Sequence, residues 1–415
     1  MRRPLRYVAD QVAPPRLGRD FRWLLSSALV NNTGDGIVLA AGPLLVASQT
    51  HDPFLVSLAI TFDYLPWLLF GLIGGVAADR FNRRLLVIGA NLVRAVVLVG
   101  LTFTIVTGSV SIALVLAAIL ALGTAEVFAD SASSTLLPSI VARDDLVVGN
   151  ARMQGAFILL NQLVAPPIGA FLFALGMALP FATNAAAFLL GAVLISRLSA
   201  GVGAIAADPS ERRSFLTDLL EGFRWLVHHA AMRTLAITIF TFNVTWGAAM
   251  GVLVLYAAQQ LHLDALGFGL LTTSAAAGGI LATALYVRLT QRFSLGNIMR
   301  VGLLVETATH LVLAATTSPL VAFGIMFLSG AHGFTWGATA NTVRQRAVPN
   351  ELLGRVGGVM RFAGFGGLVI GTPLGGLIAG AYGITAPFWF GFVGSAILVV
   401  LLWRQFGHIA HNEST

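Results

Sequence analysis

The chain has 415 residues, 57% of them hydrophobic and only 10% charged, with a mean hydropathy of +0.84. Soluble domains carry about 25% charged residues, so this composition excludes a soluble globular protein and predicts an integral membrane protein. The net charge of +7 points to nucleic acid only if its distribution is ignored, and the absence of cysteine excludes disulfides, thiol chemistry and Cys-ligated metals.

A spanning helix needs about 20 mostly apolar residues, and twelve such runs can be placed. Residues 1–20 form a predicted cytoplasmic arm. Its Arg2-Arg3 pair is not followed by the short apolar run and small-residue cleavage site of a signal peptide, and its arginines suit anionic head groups. The first span runs from about Phe21 to Ala47 and the second from about Pro53 to Ala78. The third ends near Thr107, and the fourth covers about Ser111 to Leu137. The fifth (about 151–174) and sixth (about 180–198) close an N-terminal bundle expected over 21–198.

Residues 199–232 change character and read as a cytoplasmic linker. Within it Phe215, Leu219, Phe223 and Leu226 recur at helical spacing opposite Asp218, Glu221 and Arg224, which predicts an amphipathic helix at the membrane interface. Six further spans follow over about 233–258, 265–289, 297–317, 319–340, 356–380 and 385–404, making a second bundle over 233–404 and a tail over 405–415.

All 25 basic residues are arginine. With the spans so placed, every one except Arg94 falls at the same set of ends, and the opposite loops contain none. Positive charge marks the cytoplasmic side, so both termini are expected there and the number of spans is even.

The turn between the second and third spans reads Gly75-Val-Ala-Ala-Asp79-Arg80-Phe-Asn82-Arg83-Arg84. It resembles the signature loop of the major facilitator superfamily, Gly-x-x-x-Asp-Arg-x-Gly-Arg-Arg/Lys, with Asn82 in place of a glycine. Asn tolerates left-handed backbone angles better than most residues, so the turn is expected to survive. The connectors Leu137-Pro138…Asn150 and Gln345-Arg346…Pro349…Gly354-Arg355 resemble those of the bacterial branch of enterobactin-type siderophore exporters and macrolide or multidrug exporters. The halves also repeat. A shift of 207 residues places Gly123 on Gly330, Met153 on Met360, Pro166 on Pro373 and Gly169 on Gly376. With a slightly different offset, Asp79-Arg80-Phe81 falls on Gln291-Arg292-Phe293. The resemblance implies an all-α membrane protein, twelve helices in two pseudo-symmetric six-helix bundles, in the inner (plasma) membrane.

Ionisable residues inside spans cost about 2.5–3.5 kcal/mol each on insertion scales, so each needs a partner, water or a function. Asp35, Asp63, Arg94, Glu126, Asp130, Glu306, His310 and His332 are of this kind. Asp35 lies about 20 Å in from the cytoplasmic end of its span and shares a face with Asn31, four residues earlier. It is the leading candidate for proton binding; the alternative is a packing Asp satisfied by neighbouring Asn side chains. Glu126 and Asp130 also share a helix face, where like charges disfavour double ionisation. They are expected to hold a proton or a cationic substrate, or else to pair with Arg94. Asp63 is a weaker candidate, and for Glu306 with His310 a local pair is the default.

The resemblance implies that the first, fourth, seventh and tenth spans line a central cavity. Asn31, Asn32, Phe128, Asn243, Trp246, His332, Phe334 and Trp336 are then candidate substrate contacts, the aromatics suiting bulky amphipathic or cationic compounds. The signature residues Gly75, Asp79, Arg80, Arg83 and Arg84, with Arg94 and Arg361, are the candidate conformational switch. Gly71 and Gly75, and Gly367, Gly371 and Gly375, recur every four residues, a spacing that lets helices approach closely. The resemblance implies that these two helices meet across the halves, with Asp79 pairing near Arg361. On the fifth span Ala165-Pro166-Pro167-Ile-Gly169 resembles a degraded form of the Gly-Pro-x-x-Gly-Gly element that marks antiporters there, and the intact version, Gly371-Thr-Pro373-Leu-Gly375-Gly376, lies in the other half.

No nucleotide-cradling loop is present, and there is no lysine to serve one, so ATP is not expected. Neither metal-ligand spacing nor a nucleophile elbow appears, and no cofactor, catalytic residue or nucleic-acid partner is expected. The reading is a monomeric secondary transporter working by alternating access, exporting hydrophobic small molecules against protons. The alternatives are a lysophospholipid-type lipid transporter or proton symporter, and, of another class, a non-transporting membrane receptor.

Overall fold

The computed structural model describes residues 14–199, 201–203 and 215–409. Most of the expected N-terminal arm, the end of the tail and the polar middle of the linker, including Asp208 to Arg213, lie outside the described residues.

The described chain is helical throughout. The helices are α1 (Gly18–Gln49), α2 (Pro53–Arg80), α3 (Arg83–Val106) and α4 (Ile112–Ile140), then α5 (Leu146–Ala156), α6 (Ala165–Leu175), α7 (Leu179–Ile195) and α8 (Phe215–His228). After these come α9 (Ala230–Met250), α10 (Leu253–Gln259), α11 (Ala265–Arg292), α12 (Leu295–Ala315), α13 (Pro319–Ala347), α14 (Leu353–Tyr382) and α15 (Ala386–Ile409). Among the described residues ten spans are long and apolar enough to cross a membrane, or eleven with α9 and α10, bent by 40° at their junction, counted as one. The protein is therefore an all-α, multi-spanning membrane protein.

Polar caps decide where helices begin. Asn82, Ser111, Asp264 and Ser294 each accept a hydrogen bond from the backbone N–H three residues on, opening α3, α4, α11 and α12. Asn82 has φ −59° and ψ 112°, so the expected left-handed turn is corrected. The residue needs a side-chain acceptor for the orphan amides of α3, which glycine lacks, and no positive φ. Between α5 and α6 the chain widens into a π-helical segment, Phe157–Val164. Pro166 and Pro167 follow at once, and because they have no N–H the regular ladder cannot continue through them.

The repeat read in the sequence recurs in the elements. Pro319 and Ala347, the bounds of α13, each lie 207 residues after Ile112 and Ile140, the bounds of α4. The short 3₁₀ turns at Arg143–Asp145 and Asn350–Leu352, and the starts of α5 and α14, keep the same spacing.

The chain divides into two compact units. One contains Met1–Leu45 and Leu65–Asp208, the other Val46–Tyr64 and Pro209–Thr415. In the first, Phe21, Leu24, Leu98, Leu136, Phe188 and Ile195 are fully buried. In the second, Met232, Met299, Leu303, Val356 and Phe406 fill a core onto which Leu226 of α8 packs. Helix α8 is further held by Glu221, 2.9 Å from Arg355, and by Gly222 against the Arg355 backbone. Phe223, on the apolar face expected to meet the membrane interface, is exposed, while the side chains of Phe215, Asp218 and Leu219 lie outside the described residues.

The glycine stripe of α14 corrects another expectation. A methyl group at Gly367, Gly371 or Gly375 would run into the carbonyl oxygens of Phe240, Val244 and Ala248. The stripe thus faces α9, and the residues of α14 facing α2 are Thr372, 2.7 Å from Thr61, and Gly376, against Pro53, Phe54 and Ser57. Gly71 and Gly75 have no atom of the described residues within 4 Å of a Cβ position. Four-residue spacing permits close approach but does not name the neighbour.

Candidate functional site

In the first unit, three helices bring ionisable groups together. Nη2 of Arg94, on α3, lies 2.8 Å from Oδ1 of Asp35 on α1 and 3.3 Å from Oε2 of Glu126 on α4. The guanidinium is 4% exposed, whereas the Asp35 and Glu126 side chains keep 22% and 33%. The cation is sealed in the unit and the carboxylates are reachable. Beneath it, the Arg94 guanidinium carbon stands 3.9 Å from the centre of the Phe188 ring on α7, a cation–π contact that holds the charge away from water. Asp130, one turn after Glu126, is exposed.

Amides extend this group. Asn31 donates to Asn91 at 3.4 Å, and Asn91 is fully buried. Asn184 presses on Gly34, and Asn31 on Gly191, so α1 and α7 approach closely on both sides of the polar layer. Gly36 meets the carbonyl of Asn161, in the π segment, and Gly169 of α6 meets that of Ile37. These glycines fix α1 around Asp35. Reasoning from the sequence missed Asn91, Asn161, Asn184 and Phe188. The available signal was amides in apolar spans, where every unpartnered polar group is costly.

The remaining candidates separate. Asn32 bonds back to Ala28 and Asn243 to Ile239, each within its own helix. Phe128 lines a groove of ≈ 790 Å³ between α3 and α4, walled by Leu85, Val93 and Leu120. In the second unit, His332 and Trp336 both contact Phe242, with Trp336 stacked at 5.9 Å, and Trp246 meets His310 edge-on. Phe334 is partly exposed and packs against Gly279 of α11. Asp63 has interactions of its own at an exposed position. The expected local pair is present: His310 Nε2 lies 2.9 Å from Glu306 Oε1, both fully buried.

The signature turn is tied within the first unit. Arg83 bonds the carbonyl of Ala78 at 3.1 Å and lies 3.8 Å from Asp79; its backbone N–H donates to Gly203, and Arg84 donates to the carbonyl of Ser196. Arg80, Asp79 and Arg361 are exposed.

A family model described as transmembrane secretion effector matches residues 10–413. The multidrug efflux pump Tap of Mycolicibacterium fortuitum is 29% identical over 381 residues, 88% of this chain and 90% of that one. The enterobactin exporter EntS of Shigella boydii serotype 4 is 26% identical over 398 residues, 92% of each chain. Among solved structures, a bacterial homologue of the iron transporter ferroportin, in its inward-facing state, has a TM-score of 0.75 at 16% identity over 94% of this chain and 98% of that one. The nucleoside transporter NupG has a TM-score of 0.73 at 13% identity, over 94% and 99%. Relatives and fold neighbours alike are transporters rather than enzymes. The chain belongs to the transmembrane secretion effector family, within the major facilitator superfamily of membrane transporters.

Proposed function

We propose that the protein is a proton-coupled exporter of hydrophobic or amphipathic small molecules such as drugs, macrolides or siderophores. It works as a monomer by alternating access in the bacterial inner membrane, with both termini cytoplasmic. Helix α7, 17 residues long, is the short twelfth span, and the two six-helix bundles correspond to residues 21–198 and 233–404, joined by the linker over 199–232.

The observation that carries this reading is one sealed guanidinium facing two reachable carboxylates. With both carboxylates ionised, the group carries a net negative charge, and a proton on Asp35 leaves Arg94 balanced by Glu126 alone. Loading a proton therefore changes which carboxylate the arginine holds, and with it the contact between α1 and α3. Asp130 extends the acidic run toward the exposed surface. The likeness to Tap and EntS supports an outward direction and a small-molecule cargo. The amides of Asn31 and Asn32 and the rings of Phe128, Trp246, Phe334 and Trp336, with Asn243 and His332, are the proposed substrate contacts. Gly75, Asp79, Arg80, Arg83, Arg84 and Arg361 are the proposed switch.

The test is accumulation of a panel of fluorescent drugs, macrolides and catecholate siderophores in cells with and without the protein, with a protonophore as control. Expression should lower accumulation, and the protonophore should restore it. Asp35→Asn should remove the protonophore-sensitive part while leaving substrate binding intact. Unchanged pH-driven export in that variant would remove Asp35 from the role. No flux of any compound in proteoliposomes would favour a receptor.

A further inference from the structure

The second unit holds a different ionic group. Glu306, on α12, is fully buried, with His310 one turn later at 2.9 Å from Oε1 and His332 of α13 at 3.9 Å from Oε2. The elements around it bring no arginine to it. The arginines of α9 (Arg233), α11 (Arg288, Arg292), α13 (Arg344, Arg346) and α15 (Arg404) lie toward the ends of those helices, and Arg300 lies near the start of α12 itself. The neighbouring residues are Phe242 and Trp246 of α9, Trp336 of α13 and Gly391 of α15.

A buried carboxylate must be paired or neutralised, and here, among the described residues, its charged partners are imidazoles. An imidazole is a counter-ion only when it holds a proton itself. Either Glu306 is a neutral acid beside neutral rings, or it is a carboxylate beside an imidazolium; both descriptions place one proton in the group. Three polar atoms of the same group, Glu306 Oε2, His310 Nδ1 and His332 Nε2, are buried without a hydrogen-bond partner, and Trp336 Nε1 beside them is also unpartnered. Two of these, Glu306 Oε2 and His332 Nε2, are the pair separated by 3.9 Å, so a small movement of α13 past α12 would let a proton pass between them. Each ring lies against a glycine, Gly391 under His310 and Gly302 under His332.

We propose that Glu306, His310 and His332 form a second proton-binding site, in the second unit, that holds one proton while buried and releases it when water reaches the group. The transfer is of a proton alone between the Glu306 carboxyl, the two ring nitrogens and water, with no redox partner. Its use in transport rests on the proton-coupled reading above, but its existence does not involve Asp35.

The test reads the proton itself. Full-length protein in detergent micelles, with isotope-labelled histidine, is titrated between about pH 5 and pH 9, recording infrared difference spectra for a carboxylic acid and imidazole NMR for the rings. The expected result is one protonated signature, acid or imidazolium, that is lost in Glu306→Gln, titrates differently in His332→Gln and disappears within the titration of the parent protein. Glu306→Gln mimics the neutral acid in shape, and His332→Gln leaves the Glu306–His310 pair in place, so either variant can serve if the other does not fold. A bare carboxylate beside neutral rings throughout, or a proton never released, would overturn the site. Asp35→Asn should leave the signature in place; its loss there would overturn the site's independence, whereas a failure of the Asp35 export test alone would leave this site standing.

Discussion

The guanidinium of Arg94 is shared: Asp35 lies 2.8 Å from the same Nη2 that stands 3.3 Å from Glu126. Removing the cation therefore strands two acids, while removing one acid leaves the cation paired. Arg94→Ala should destabilise the protein by about 3–5 kcal/mol, the usual effect of breaking a buried pair from one side. Asp35→Asn should cost much less and should act on export instead. Thermal unfolding of the purified variants in detergent checks the order. Equal losses in the two would mean that Asp35 is chiefly a packing residue.

Close crossings at glycine make a second prediction. A methyl group at Gly169 would enter the carbonyl of Ile37, and one at Gly375 the carbonyl of Ala248. Backbone carbonyls cannot turn aside as a flexible side chain can, so the helices must separate. Gly169→Ala and Gly375→Ala should each lose about 1–3 kcal/mol, as overpacked cores do. Gly71→Ala, at an open position, should be neutral or slightly stabilising in the same unfolding assay. A destabilised Gly71→Ala would show that this position has a neighbour after all.

The positions of most helices, the 207-residue repeat and the Glu306–His310 pair were legible in the sequence, because hydropathy and spacing along one chain encode them directly; the bend between α9 and α10 and the π segment of Phe157–Val164 were not. Partners between helices were legible only in part: the pairing of Glu126 with Arg94 stood among the alternatives, and the contact of Arg94 with Asp35 did not. These helices are apolar nearly all round, so no polar face marks which side meets which neighbour. Hence Asp35 and Arg94 are each visible in the sequence but their contact is not, and the α14 stripe, expected against α2, faces α9. Phe188 looked like any other apolar residue until Arg94 was found above it. Asn82 was misjudged for a different reason. Asparagine serves both left-handed turns and N-caps, and only backbone angles tell the two apart.

That cap yields a third prediction. Asn82 accepts from the N–H of Leu85 at 3.2 Å. Asn82→Ala should cost about 1 kcal/mol and Asn82→Gly only a few tenths, the order seen at N-caps generally. Asn82→Asp and Asn82→Ser should retain full stability. Were the position a left-handed turn, glycine would be the best residue there, and a rise in unfolding midpoint for Asn82→Gly would reverse the assignment.

The π segment gives the last prediction. The N–H of Ala165 reaches back five residues to Leu160, and Pro166 and Pro167 beyond it have no N–H to continue the regular four-residue ladder. The double variant Pro166→Ala, Pro167→Ala restores both donors and removes the steric reason for the wider turn. The span should then close to regular α-helix across Phe157–Val164. Dropping one residue from the widened turn rotates everything before it by about 100° relative to α6. Asn161 would leave its contact with Gly36, and the support of α1 next to Asp35 would go with it. Hydrogen exchange measured on peptides covering 157–164 should slow in the double variant, and export should fall even though neither proline bears a charge or touches Asp35. Unchanged exchange would mean that the widening is imposed by packing around Asn161 and not by the prolines, and Gly36→Ala would then be the substitution that collapses it.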